Sequence, residues 1–310
     1  MPAFPAYDTN SSTFLLAGFP GLEREYPWIS IPFSCIYAMV LSGNCLVLHV
    51  IWTEPSLHEP MFYFLAMLAL TDLSTVHTVL GVLWGLSQEV SLDACIAQTY
   101  FIHGLSLTES GVLLAMAFDH FTAICNPLRY TSILTSARIM KIGLGILVRS
   151  FLFIIAPIIR LKFFRYCRSH ILSHSFCLHQ DLLRLVCSDI HFNSFYALAL
   201  VICILLFDSV LIIVSYILIL YSVLAIASRE EQLKSLQTCV SHICAVLVFY
   251  IPIIGLTMVH RFGKHLSPVV HVLMGNIYII FPPLMNPIIY SVKTQQIRGR
   301  IQKWFSMKRE

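Results

Sequence analysis

Long apolar runs separated by short polar stretches dominate the chain, at about 28–52, 61–86, 95–124, 142–159, 195–222, 236–259 and 268–292. A helix needs roughly 20 such residues, at about 1.5 Å rise each, to cross a bilayer. Each run therefore predicts one transmembrane helix, seven in all. Glu109 and Asp119 interrupt the third run and Asp72 the second, yet both stay long enough to cross. The expected fold class is an all-α membrane protein, a seven-transmembrane helix bundle forming a single domain over 1–310. Residues 1–26 form an N-terminal tail and 293–310 a C-terminal one. A short amphipathic helix is expected near 294–305, with Ile297, Ile301, Trp304 and Phe305 facing lipid and its basic residues meeting anionic headgroups.

Composition narrows the function classes. The chain is 57% hydrophobic and 12% charged, against about 45–50% and 25% for soluble domains, which excludes an ordinary soluble protein. The formal charge of +4 is scattered, and no Lys/Arg block is dense enough to track a nucleic-acid backbone. Membrane lipids are the expected surroundings, and nucleic acid is not a partner. There is no P-loop, HExxH, nucleophile elbow or dinucleotide fingerprint, so the protein is not expected to be an enzyme.

Orientation rests on several small signs. With the C-terminus inside, eleven Lys/Arg lie on the cytoplasmic side and eight outside. Five of the eight, Arg160, Lys162, Arg165, Arg168 and Arg184, share the loop between spans four and five. Asn10-Ser11-Ser12 is a glycosylation sequon, usable only on a tail outside the cytoplasm. Cys95, Cys167, Cys177 and Cys187 fall on that same outer side, where disulfides persist, and four cysteines allow three pairings. The remaining cysteines, Cys35, Cys45, Cys125, Cys203, Cys239 and Cys244, are expected to be packed, reduced thiols. The first span starts too late and runs too long for a signal peptide and is expected to act as its own insertion signal.

Polar residues inside spans carry the functional reading, because a charge at mid-bilayer costs at least ~2.5–3.5 kcal/mol on insertion scales. Asp72 and Glu109 sit at depths where they can meet, with Asn44 and Asn286 as further partners. A shared cation or proton would neutralise that pair; a structural hydrogen-bond network is the competing reading. Arg149, midway through span four, shows no evident partner. Nearer the outer ends, His103, Ser106 and Ser110 share one helical stripe, and Thr257 and Arg261 share a face with His260 beside them. If the stripes converge, they enclose an apolar pocket with a fixed cation, suited to a short acid with an apolar tail. The competing reading makes Arg261 an interfacial residue reaching for headgroups. Pro252, Pro282, Pro283 and Pro287 favour kinks. The loop histidines His170, His174 and His179 have metal-compatible spacing, but the expectation is that they are solvated and bind no metal.

Several motifs occur in order along nearly the whole chain. They are Gly43-Asn44; Pro60-Met61-Phe62-Tyr63-Phe64-Leu65; Met116-Ala117-Phe118-Asp119; Cys125-Asn126-Pro127-Leu128-Arg129-Tyr130; Ser215-Tyr216; Lys234-Ser235-Leu236-Gln237-Thr238-Cys239-Val240-Ser241-His242; and Asn286-Pro287-Ile288-Ile289-Tyr290. This series resembles the olfactory receptor family of rhodopsin-like G-protein-coupled receptors. Cys177-Leu178-His179-Gln180-Asp181 and Val259-His260-Arg261-Phe262-Gly263 look like its class I branch.

The resemblance implies a plasma-membrane odorant receptor, N-terminus extracellular and C-terminus cytoplasmic, that raises cAMP through a stimulatory olfactory G protein. It implies disulfides Cys95–Cys177 and Cys167–Cys187, and an inner polar site at Asp72 and Glu109 open to sodium, with no other cofactor. By resemblance to class I receptors, which favour short acids and other water-soluble odorants, His103, Gln180, Thr257 and Arg261 would contact the ligand. Tyr250 would be the aromatic switch beneath them. Asp119, His120, Arg129, Tyr216 and Tyr290 would form the G-protein-coupling face. One departure matters: Asp119-His120-Phe121 stands where the family has Asp-Arg-Tyr. That predicts weaker or altered coupling or a changed resting balance, with a weakly coupled or silent receptor as one alternative, and leaves Asp119 without its partner. An ion-coupled transporter using Asp72 and Glu109 is the alternative; it predicts internal repeats, and the sequence has none.

Overall fold

The computed structural model describes residues 13–16, 25–76, 89–167, 171–172, 174, 176–226, 228–263, 265–293 and 297–299. Its framework is seven long helices: α1 (Tyr26–Thr53), α2 (Pro60–Val76), α3 (Leu92–Cys125), α4 (Ser136–Leu161), α5 (His191–Leu224), α6 (Arg229–Phe262) and α7 (Pro268–Lys293). All but α2 are long and apolar enough to cross a membrane. Residues 77–86 of the second predicted span lie outside the described residues, so α2 is a shorter apolar helix over its described part. The third run, despite its two carboxylates, is one uninterrupted helix of 34 residues.

Three helix starts follow side-chain caps rather than the edges of apolar runs. The α6 helix starts at Arg229, well before the apolar run, because the Ser228 hydroxyl accepts from the Glu231 amide at 3.5 Å and Lys234 pairs with Glu230 at 2.7 Å one turn on. Ser91 and Thr135 cap α3 and α4 in the same way. At about 1.5 Å per residue the 34-residue α5 and α6 reach about 50 Å, longer than the ~30 Å hydrocarbon core they cross.

The α3 helix is the bundle's axis: 67% of its apolar window is buried, against 17% for α5, which turns Phe207, Ile213 and Ile217 outward as a lipid-facing surface needs. Phe62, Phe64, Leu68, Leu113, Met116 and Phe249 fill the inner core. Leu161, Leu172 and Leu182 fill a second core under the loop between α4 and α5. Gly104 lets α3 approach α4 closely; a Cβ there would run into the Phe151 ring. Proline leaves a carbonyl four residues back without its helical donor. For Pro287 that carbonyl belongs to Pro283, and Asn44 on α1 donates to it at 2.9 Å. The Asn44 amide therefore serves the α7 backbone rather than the Asp72/Glu109 pair.

Three expectations change. The tail contributes a strand: β1 (Thr13–Leu16) pairs antiparallel with β2 (Glu89–Ser91) and parallel with β3 (Ile171–Leu172), burying Phe14 against Tyr166. Cys35, Cys45 and Cys203 are exposed on the outside of the bundle rather than packed; Cys239 is buried. Ile297 is buried against the inner core, not turned to lipid. Ile301, Trp304, Phe305 and the Asn10 sequon lie outside the described residues.

Candidate functional site

Cys95 on α3 is bonded to Cys177, and Cys167 to Cys187, so the loop after α4 is closed at its base and its middle is pinned to α3. The Gln98 side chain accepts from the Cys177 amide at 2.7 Å, and Thr99 donates to the Cys177 carbonyl at 3.2 Å. This bracing sets a short loop helix, His179–Arg184, over the open end of the bundle.

Beneath it lies a cavity of about 130 Å³ between α3, α4, α5, α6 and α7, smaller than the roughly 300–1,000 Å³ of drug-sized sites. Its walls are mostly apolar, from residues such as Leu107, Ile154, Val201 and Leu256. Its polar groups are His103 and Ser106 from α3, His179 and Gln180 from the loop helix, Thr257 and His260 from α6, and Tyr278 from α7. His103 Nε2 is buried with no hydrogen-bond partner among the described residues, an orphan that a ligand oxygen can satisfy. His179 accepts at Nε2 from Asn193 at 3.4 Å. Burial, with His103 nearby, pushes its pKa down to about 3, so it is neutral.

The two predicted stripes do converge, but not all of their residues reach the cavity. Ser110 and Tyr250 sit below its floor. The Ser110 hydroxyl donates to Asp208 at 2.7 Å and lies 3.0 Å from the Tyr250 hydroxyl. Arg261 shares a helical face with Thr257, but on the last turn of α6 its long side chain swings outward. The guanidinium is exposed and donates to the Ser194 carbonyl at 3.4 Å. The fixed cation expected inside the cavity is thus at its rim.

The floor also supplies the missing partner of Arg149. Its guanidinium grips Asp208 of α5 with two bonds of 2.9 Å, the carboxylate being fully buried. With Ser110 and Tyr250, this fork links α3, α4, α5 and α6 under the cavity. Asp208 went unnoticed in the sequence, although a lone carboxylate in the most apolar span, opposite a lone arginine in the preceding one, was a readable signal.

Deeper, the predicted polar cluster assembles. Asn286 donates to Asp72 Oδ2 at 3.1 Å and Glu109 Oε1 at 3.2 Å, all three buried. At the end of the bundle away from the cavity, Asp119 keeps a partner after all: the Tyr130 hydroxyl donates to it at 2.9 Å. His120 stacks on His242 with centroids 5.3 Å apart, and its Nδ1 lies 2.6 Å from the Met116 carbonyl. Tyr216 meets His242 Nδ1 at 2.6 Å, Tyr290 reaches Met116 Sδ at 3.9 Å, and Arg129 is exposed.

The loop histidines depart furthest from expectation. His174 and His179 are buried, not solvated, because the disulfide-braced loop folds them under itself; His170 lies outside the described residues. His174 meets Asp181 at 2.5 Å, and both lie near His260. Burial opposes both charges. The Asp181 carboxylate nevertheless raises the His174 pKa, and His174 holds Asp181 well below the usual carboxylate range.

The chain matches the olfactory receptor family over residues 33–308. It is similar to three Homo sapiens proteins: 75% identical to olfactory receptor 51V1 over 309 residues, 98% of this chain and 96% of that one; 56% identical to olfactory receptor 51B5 over 304 residues, 97% of each; and 54% identical to olfactory receptor 51L1 over 306 residues, again 97% of each. With a seven-helix bundle, a cavity at one end of it and near full-length likeness, the chain belongs to the olfactory receptor family: multi-pass membrane receptors, not enzymes, that take odorant ligands and act through G proteins.

Proposed function

We propose that the cavity receives small, relatively polar odorants, short- and medium-chain carboxylic acids foremost, and that occupancy raises cAMP through a stimulatory olfactory G protein. The carrying observation is the cavity's division: imidazole, amide and hydroxyl groups gather under the loop helix, while aliphatic walls receive a short tail. An ionised acid needs a cation, and Arg261, on the last turn of α6 beside the cavity-lining His260, supplies a fixed one. Among the described residues it is held by a single 3.4 Å bond to a backbone carbonyl, which a carboxylate outcompetes as a charge-assisted acceptor. The bound state therefore has the guanidinium turned inward. Since ligand binding biases only states it prefers, this inward turn on α6 is the differential contact that drives activation. The N-terminus lies outside and the C-terminus in the cytoplasm, following the Lys/Arg excess and the sequon. At the inner site, Asn286 gives its donors to two carboxylates, and a sodium ion offsets one of their two negative charges.

The test is a cAMP assay on cells expressing the full chain, with acids matched to alcohols and esters of equal length and surface expression controlled. Arg261→Ala is expected to abolish responses to acids and spare alcohols. An unchanged acid response in Arg261→Ala refutes the acid reading.

A further inference from the structure

Beside the cavity, three ligand-type side chains from separate parts of the chain converge: His174 in the outer loop, Asp181 on the loop helix and His260 in the last turn of α6. All are buried, and one nitrogen or oxygen atom of each lies within 4.8 Å of the others. Each imidazole already has one nitrogen on a backbone carbonyl: His174 Nε2 on His271 at 3.0 Å, and His260 Nδ1 on Leu256 at 2.9 Å. Carbonyl oxygen only accepts, so those nitrogens carry the N–H, and in the neutral ring the other nitrogen holds a lone pair. Both lone pairs face Asp181, His174 Nδ1 2.5 Å from Oδ2 and His260 Nε2 3.7 Å from Oδ1. Two lone pairs against a carboxylate repel unless something positive lies among them. One proton on His174 settles one contact and leaves His260 Nε2 without a hydrogen bond.

We propose that His174 Nδ1, Asp181 and His260 Nε2 form a binding site for a zinc-class divalent cation. Two imidazole nitrogens and one carboxylate oxygen, with a fourth position open, suit Zn²⁺ or Cu²⁺ rather than the all-oxygen preference of Mg²⁺ or Ca²⁺. The two backbone carbonyls fix the tautomers that ligation requires, the usual task of groups behind metal-bound histidines. Bonds of roughly 2.0–2.1 Å in a tetrahedron place ligand atoms about 3.3 Å apart; with one ligand atom of each residue within 4.8 Å of the others, the short His174–Asp181 contact opens and no pair has to close by more than ~1.5 Å. Gly275 on α7 makes room for the His174 ring; a Cβ there would stand 2.7 Å from its Cδ2. Arg184, half-exposed and 3.8 Å from Asp181 Oδ1, is the competing positive group. Bound here, the cation staples the outer loop to the outer end of α6. Its binding is read without any odorant, so failure of this site and failure of the ligand reading are separate results.

Purified full-length receptor in lipid nanodiscs, stripped by chelator, is titrated with Zn²⁺, with Mg²⁺ as control, following metal stoichiometry and unfolding temperature. One Zn²⁺ per receptor is expected, raising the unfolding temperature. His260→Gln, Asp181→Asn and His174→Ala are each expected to weaken binding at least about 100-fold, the upper end of what losing a mere supporting hydrogen bond costs. His191→Gln and His265→Gln, at exposed histidines, are expected to leave it unchanged. Cu²⁺ at the site should show two coupled nitrogens by electron paramagnetic resonance, falling to one in His260→Gln. If His174→Ala does not fold, the other two variants decide. Absence of saturable Zn²⁺ binding, equal binding of Mg²⁺, unchanged Zn²⁺ affinity in both His260→Gln and Asp181→Asn, or loss of binding in the exposed-histidine variants overturns the proposal.

Discussion

The fork between Arg149 and Asp208 offers the sharpest energetic test. Replacing Arg149 with Met keeps length and apolar volume but leaves a fully buried carboxylate whose remaining donor among the described residues is the Ser110 hydroxyl. Breaking a buried pair by removing one partner costs about 3–5 kcal/mol. The Arg149 side chain is 25% exposed, so part of that interaction is already screened and about 2–3 kcal/mol is the working figure. Removing both ions together (Arg149→Met with Asp208→Leu) restores an apolar contact and should recover most of the loss. The cycle of two single variants and the double isolates the pair. Neutral polar contacts between membrane helices average only ~0.6 kcal/mol; the two-bond ionic geometry is the reason to expect more. At roughly 2 °C per kcal/mol for a chain of this size, each single variant should unfold about 4–6 °C lower. The double should lie within about 2 °C of the parent at matched scan rate, since unfolding here is read as a rate. A coupling energy below about 0.5 kcal/mol, within additivity error, refutes the reasoning.

Four further outcomes are expected. Gly104→Ala drives a methyl into the Phe151 ring and should destabilise by about 1–3 kcal/mol, with Phe151→Leu in the same chain restoring unfolding temperature; no rescue would mean α3 and α4 do not meet there. Asn44→Leu strips the donor from the Pro283 carbonyl and should cost about 1–3 kcal/mol, read as loss of surface expression and a lower unfolding temperature. Asn286→Leu leaves Asp72 and Glu109 facing each other without their shared donor. Sodium should then stabilise the chain less than it does the parent, and an unchanged sodium-over-potassium difference in unfolding temperature would count against an ion there. His120→Arg brings a guanidinium beside Asp119, in place of a ring held against His242. Basal or evoked cAMP should change, and no change in either would show that the substitution carries no coupling effect.

The seven crossings were legible because bilayer thickness imposes a run length that hydropathy reports directly; α6 shows the limit, since its polar first turns come from a serine cap and an ion pair that hydropathy does not register. His103, Ser106, Thr257 and His260 were legible as polar stripes, because helical periodicity alone brings them to one wall. Arg261 lies at the rim rather than inside the cavity because periodicity assigns a face to Cα, whereas a long flexible side chain on the last turn chooses its own direction. The Arg149–Asp208 fork needed only two solitary opposite ions to be compared across neighbouring spans. His174 and Asp181 were beyond reach: their burial depends on how two disulfides fold an irregular loop, and nothing in local spacing encodes that.

The small sheet carries a consequence for biogenesis. Strand β1 leaves the ribosome early, while its parallel neighbour β3 follows roughly 155 residues later. At about 5–20 residues per second of translation, residues 13–16 wait on the order of 8–30 s, through the insertion of four helices, before both flanking strands are present. Until then β1 can pair only with β2, and Phe14 and Leu16 lack the contacts with Tyr166 and β3 that complete their burial.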